Sequence, residues 1–331
     1  MKKKLFNLIF FFSSISFALI ICEVSVRLLY PAISNYNLEM WRYAKDMKMP
    51  VNKTNLPFHH YPNSVGDFYG VEIKTNGIGF RDKAIDAKKN KKRILFIGDS
   101  FTLGWGVVED STFTRVLERN LRTSNFDYEV INSGIGNYNS RMECELFKWK
   151  GIKTNPDIVI LMFFANDAEP VPKVSSLQYS LISKSYLFAL LFDRIQKIKV
   201  IANPNNRWDA YYKSLYEYTN RSLKDNMDAL SEIADICRNR NIPLMFVNIP
   251  VLHQLKDYPI YEATNFIKRA ADLNSVHFLD LLPAIEGYPP HNLWVSAEDA
   301  HANGKANLIF AEEIFDYLKG NNLIGNKGRN N

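Results

Sequence analysis

Cysteine is scarce in this chain. Cys22, Cys144 and Cys237 show neither CxxC spacing nor a histidine at ligand spacing, so neither a disulfide framework nor a zinc module is expected. No tandem repeat runs through the sequence, which argues against a solenoid or propeller. G-x-x-x-x-G-K is missing, Gly104-Trp105-Gly106 lacks the third glycine of a dinucleotide loop, and there is no H-E-x-x-H. Nucleotide-phosphate, dinucleotide and zinc-protease chemistry are set aside on that ground. Excess charge of one sign is also small: the formal net charge is +6, and Lys2, Lys3 and Lys4 supply three of those charges. Electrostatics alone therefore does not make a nucleic-acid binder. The apolar share of 47% and charged share of 23% are ordinary globular usage, unlike disordered, collagen-like or coiled-coil chains. With 331 residues, one large α/β domain with attachments or two small domains would fit.

What is present begins with the stretch Leu5–Cys22, LFNLIFFFSSISFALIIC. As a helix it would be about 27 Å long, close to a bilayer core. Three lysines precede it, and the positive-inside rule places them in the cytoplasm and the rest of the chain outside, in a periplasm or at a cell surface. A cleaved signal peptide wants small residues at its cleavage site, and no A-x-A pattern occurs; a lipoprotein site wants small residues where Ile20 and Ile21 precede Cys22. The reading adopted is an uncleaved signal-anchor over residues 1–30. Residues 31–70, with Pro31, Pro50, Pro57 and Pro62, read as a spacer. Within it His59 and His60 have no third ligand at metal spacing and are expected at the surface.

From about residue 92 the pattern alternates between strand and helix. Arg93–Ile97, Tyr128–Asn132, Ile158–Phe164, Pro243–Asn248 and Val276–Leu281 read as strands; helices are expected near 112–122, 139–152, 219–240, 260–273 and 303–319. Such alternation predicts a three-layer α/β/α sandwich on a mostly parallel five-stranded sheet over residues 71–320, with a short tail at 321–331. The interval 170–218 is too long for an ordinary connection. It contains the apolar run Tyr186–Phe192 followed by Arg194, Lys197 and Lys199. A helical insertion packing on the domain is expected; a lid or a patch resting on the membrane is the other reading. The basic run Lys88–Arg93 reads as a solvated approach to the first strand.

Ligands of open parallel sheets gather at the carboxyl ends of the strands. Three of those ends carry Gly98-Asp99-Ser100, Asn132-Ser133-Gly134 and Phe164-Ala165-Asn166-Asp167, and Glu298-Asp299-Ala300-His301 lies just before the last helix. A hydroxyl, a glycine amide, a carboxamide and a histidine beside a carboxylate form the inventory of a serine esterase. In this order the four blocks resemble the SGNH or GDSL hydrolase family, over about residues 75–320. Asn76-Gly77-Ile78-Gly79-Phe80-Arg81 is similar to the lead-in of its anchored members. The resemblance implies a flavodoxin-like fold, no cofactor and no metal. It also implies Ser100 as nucleophile, His301 as base, and an oxyanion hole from the amides of Ser100 and Gly134 with the carboxamide of Asn166. Asp99 is expected to be structural.

Three positions depart from the family pattern: Phe164 stands where glycine is usual, Ala302 where proline follows the histidine, and the usual acid position is Glu298. Asp299 is preferred over Glu298 as the orienting acid because a short Asp is more easily buried and ordered. His291 lacks a carboxylate neighbour, and His253 and His277 read as ordinary loop and strand residues. The function expected is an ester hydrolase working through an acyl-enzyme, with acylated envelope or exported polysaccharide as substrate and the membrane as partner through the N-terminal helix. Acyl transfer to a glycan, lipase or lysophospholipase activity, and non-catalytic glycan binding are the alternatives. Trp105, Trp294 and Tyr138 are read either as sugar-stacking or as core residues.

Overall fold

The computed structural model describes residues 2–30, 35–172, 185–202, 207–217 and 219–325. Residues 31–34 of the expected spacer, 173–184, 203–206 and 218 of the expected insertion, and the tail beyond 325 lie outside the described residues.

The centre of the molecule is a five-stranded sheet of β5 (Lys92–Gly98), β6 (Tyr128–Asn132), β7 (Ile158–Phe163), β8 (Leu244–Asn248) and β9 (His277–Asp280). Its spatial order is β6-β5-β7-β8-β9, and every neighbouring pair is parallel. The middle strands are apolar on both faces, since Ile94, Leu95 and Phe96 of β5 and Ile158 to Phe163 of β7 are all buried. Continuous Ile/Leu/Val/Phe runs are what a sheet covered on both sides requires. The covering helices are α4 (Phe113–Thr123) and α11 (Gly304–Gly320), which pack on each other, and α5 (Ser140–Trp149), α8 (Arg221–Asn239) and α9 (Tyr261–Asn274). Two single-turn helices, α3 (Ser100–Leu103) and α10 (Leu282–Ile285), follow β5 and β9. The expected α/β sandwich is the fold observed.

Residues 36–74, expected as spacer for most of their length, are folded. They form α2 (Tyr36–Met47), a hairpin of β1 (Lys48–Lys53) and β2 (Leu56–His60), and a second of β3 (Val65–Phe68) and β4 (Val71–Lys74). Asn35 caps α2 by accepting from the Leu38 amide at 2.9 Å, and Met40, Tyr43 and Met47 pack with Phe68, Leu103 and Trp105. The prolines mislead because a two-stranded hairpin has only edge strands, where a missing N–H costs nothing; Pro50 sits opposite Phe58 in one. His59 and His60, expected at the surface, are fully buried. His59 Nε2 donates to Ile78 O at 2.9 Å and His60 Nδ1 to Gly79 O at 3.0 Å. No metal-holding cluster of His, Cys, Asp or Glu occurs among the described residues.

Helix α1 (Lys2–Leu29) packs outside this body. Residues 3–29 are long and apolar enough to cross a membrane, with a mean hydropathy of 2.3 in the best window and none of that window buried. The described parts of the insertion are α6 (Tyr186–Ala202) and α7 (Trp208–Leu215). The remaining strands, β10 (Trp294–Ser296) and β11 (Asp299–Ala302), pair antiparallel just before α11.

Candidate active site

Strand β5 runs out at Gly98, where an added Cβ would lie 2.0 Å from Thr102 Oγ1 and 3.1 Å from Met162 O. Only glycine allows the chain to turn that tightly into α3. The turn is capped by Asp99, whose Oδ1 accepts from the Phe101 amide at 2.8 Å. Asp99 thus has the structural place expected of it. Ser100, the first residue of α3, is 4% exposed, and its Oγ lies 2.8 Å from His301 Nε2.

The histidine arrives on β11. His301 Nδ1 donates to Asp299 Oδ1 at 2.6 Å, and the same oxygen accepts from the His301 amide at 3.0 Å. Residues two apart on a strand share a face, so an acid two positions before the histidine can reach its ring. Glu298 is exposed instead, with its amide on Ser296 Oγ at 3.2 Å. Asp299 Oδ2 also accepts from Trp105 Nε1 at 2.9 Å. Burial works to raise the Asp299 carboxyl, but the charge and hydrogen bonds of His301 and the Trp105 donor hold it below the usual carboxylate range. Asp99 goes the other way: burial raises it against the Phe101 amide and the charge of His301.

Aromatic rings wall the imidazole. Phe101 lies 4.9 Å from His301 between ring centroids, Tyr36 of α2 lies 5.5 Å away, and Trp105 6.5 Å. Phe164 packs on Phe101 at 4.4 Å. The backbone at Phe164 is extended, with φ −125° and ψ 159°, so the position makes no demand for glycine and its side chain is free to narrow the site. Asp167 fixes this turn by accepting from the Phe164 amide at 2.9 Å, and Tyr216 donates to Ala165 O at 2.7 Å. Asn166, in the same turn, is half-buried.

Gly134, its amide expected in the oxyanion hole, is closely packed. An added Cβ there would lie 2.2 Å from the Leu103 nitrogen, so this glycine lets the β6 loop press against α3. Its amide donates to Asn132 Oδ1 at 2.9 Å and is already engaged. Among the described residues, the other histidines hold neither Ser100 nor Asp299 by a hydrogen bond. His253 stacks on Trp208 at 4.8 Å, His277 faces Tyr317, and His291 is exposed. Burial, with the charge of His301 after it, lowers the His253 pKa. Trp105 and Tyr138 are each 1% exposed, so their place is in the core; Trp294 is half-buried and donates to Leu252 O at 2.8 Å. Tyr36 and the Trp105–Asp299 bond escape sequence reasoning because each joins residues far apart in the chain.

A model of the GDSL-like lipase/acylhydrolase family matches residues 96–308. The chain belongs to this family. It is an ester-bond hydrolase on that account. No curated protein matches it. Among solved structures it is similar to the lipase/acylhydrolase from Enterococcus faecalis at 15% identity, over 71% of this chain and 98% of that one, with a TM-score of 0.46. An acetyl xylan esterase, AlAXEase, is 18% identical over 68% of this chain and 99% of its own, with a TM-score of 0.45. The psychrotrophic esterase EstA from Pseudoalteromonas is 14% identical over 69% and 97%, also at 0.45.

Proposed function

We propose that this hydrolase removes small O-acyl groups, acetyl above all, from an envelope or exported polysaccharide, with Ser100, His301 and Asp299 as its working residues. The observation that carries the assignment of roles is the unbroken relay from Ser100 Oγ through His301 to Asp299, with links of 2.8 Å and 2.6 Å. The Ser100 hydroxyl attacks the ester carbonyl as His301 Nε2 takes its proton. Asp299 holds the proton on Nδ1 and stabilises the imidazolium. The tetrahedral oxyanion collapses, His301 returns the proton to the departing sugar hydroxyl, and an acyl-serine is left. Water then attacks the acyl-serine, again giving a proton to His301, and the carboxylic acid is released with Ser100 restored.

The oxyanion falls to the Ser100 amide and the Asn166 carboxamide; the Gly134 amide joins them only by sharing its hydrogen with Asn132 Oδ1. Phe164 on Phe101 beside the imidazole favours a short acyl group. The polymer assignment is supported by α1, read as an uncleaved anchor with its lysines in the cytoplasm, which sets the site where exported glycans pass. The test is hydrolysis of aryl acetate and longer aryl esters by the detergent-solubilised full chain, beside Ser100→Ala. Turnover of the acetate that vanishes in the variant is expected, falling as the acyl chain lengthens. Equal turnover in the variant would remove Ser100 from its role, and a preference for long chains would replace the deacetylase reading with a lipase.

A further inference from the structure

Helix α6 is fastened to the last third of α1, at Glu23, six residues before that helix ends at Leu29. Glu23, the first residue after the apolar stretch that ends at Cys22, accepts from Ser185 Oγ at 2.8 Å and from the Tyr186 and Leu187 amides at 3.1 and 2.8 Å. A carboxylate at a helix N-terminus satisfies the orphan amides and opposes the helix dipole. One side of α6 is packed, since Tyr186 and Ala189 join Leu38 of α2 with Val26, Tyr30 and Trp41 around them. The other side is bare: Phe188, Leu191, Phe192, Ile195 and Ile198 are 41–64% exposed. At 100° per residue these five fall on a stripe about 120° wide, opposite Tyr186 and Ala189. Arg194, at the flank of the stripe, is exposed, a placement that suits an anionic head group.

We propose that α6 is a membrane foot, lying in the bilayer interface at the Glu23 end of α1 with its Phe188–Ile198 stripe among the acyl chains. Continuity with α1 chooses lipid as the occupant, because the cap by Glu23 places the start of α6 at the level where the uncharged run Leu5–Cys22 gives way to the Glu23 and Arg27 charges. The exposed Arg194 keeps the helix in the interface and out of the hydrocarbon centre. The foot is coupled to the catalytic centre by the first turn of α2, which carries Leu38 against Tyr186 and Tyr36 against His301. The proposal rests on reading α1 as an anchor, and the experiment separates the two.

The full chain would be reconstituted in nanodiscs of mixed phosphatidylcholine and phosphatidylglycerol, with nitroxide spin labels placed singly. Native Cys22, exposed on α1, reports on the anchor; Cys144 and Cys237 are buried. Leu191→Cys, Ile195→Cys and Tyr211→Cys, each in a Cys22→Ala background, report on α6 and on the exposed surface of α7. Accessibility to oxygen against a nickel chelate distinguishes lipid from water. Oxygen preference at positions 22, 191 and 195, several-fold above that at 211, is expected. Nickel preference at 191 and 195 with oxygen preference at 22 overturns the foot and leaves the anchor standing. Nickel preference at 22 overturns the anchor, while oxygen preference at 191 and 195 in nanodiscs of the same composition would still sustain the foot. Spin–spin broadening at 191 or 195 that disappears on dilution with unlabelled chain assigns the stripe to a second copy and overturns lipid as the occupant.

Discussion

At the scale of single residues, the choice between two adjacent acids is a matter of strand geometry. Asp299 and His301 share a face of β11, whereas Glu298 lies outside the strand and is exposed. Asp299→Asn is expected to lower kcat for aryl acetate roughly 10³–10⁴-fold, because the amide presents no charge to the imidazolium and favours the wrong tautomer. Glu298→Gln should stay within about two-fold of the parent, as surface changes away from partners usually do; steady-state kinetics of both variants decides the matter. Phe164→Ala is a second test at this scale. Removing the ring that lies on Phe101 should raise kcat/KM for butyryl or hexanoyl esters relative to acetyl by about 10-fold, the order expected for one or two methylenes in an apolar pocket. Ser100 and His301 were legible because each follows or precedes a strongly patterned element. Trp105 was legible only as a sugar-stacking or core residue, since its bond to Asp299 crosses 194 positions of sequence and no local pattern records it.

Among the elements, the strands of the sheet announce themselves by unbroken apolar runs, and the segment before them does not. Hairpins β1–β2 and β3–β4 are short and half-polar, and the first is interrupted by Pro50 and Pro57, so their periodicity is too brief to separate from a linker. Their content shows in stability. His60 Nε2 accepts from the Tyr43 hydroxyl, which in turn accepts from the Gly136 amide at 3.0 Å, and Lys48 Nζ donates to Gly136 O at 2.6 Å. These bonds tie the first hairpin and α2 to the loop that follows Gly134. Burial draws the His59 pKa down from 6.5 to about 4, and burial, with the charges of His59 and Lys48 after it, lowers that of His60 as well. The folded state therefore binds fewer protons than the unfolded one in this range. The stabilising contribution is complete above about pH 6.5 and is lost as pH falls toward 4, on the order of 3 kcal/mol for His59. Thermal unfolding midpoints should fall over that window, and His59→Gln, which keeps a donor for Ile78 O, should flatten the slope. An unchanged slope would place the acid sensitivity elsewhere.

For the whole molecule, the family match starts at residue 96, yet the folded body extends back to Asn35, which is 1% exposed. Two truncations test what the earlier segment contributes. A chain beginning at residue 31 keeps Asn35, α2 and both hairpins, and should retain ester hydrolysis within about three-fold of the full chain in detergent. A chain beginning at residue 48 lacks Tyr36, Tyr43 and Met47. It should lose several kcal/mol of stability through the cavities left by the two fully buried side chains, read as a lowered unfolding midpoint and loss of soluble protein.

Had residues 31–70 been a linker, its extended length would have reached about 130 Å, enough for the catalytic centre to roam through a thick polymer layer. Instead only residues 31–34 separate Tyr30 from Asn35, at most about 18 Å of chain. If α1 is the anchor proposed above, α2 lodged against His301 holds the catalytic centre at a fixed height with no leash on which to search. Its encounters are then those of molecules that travel along, or emerge through, the plane in which it stands.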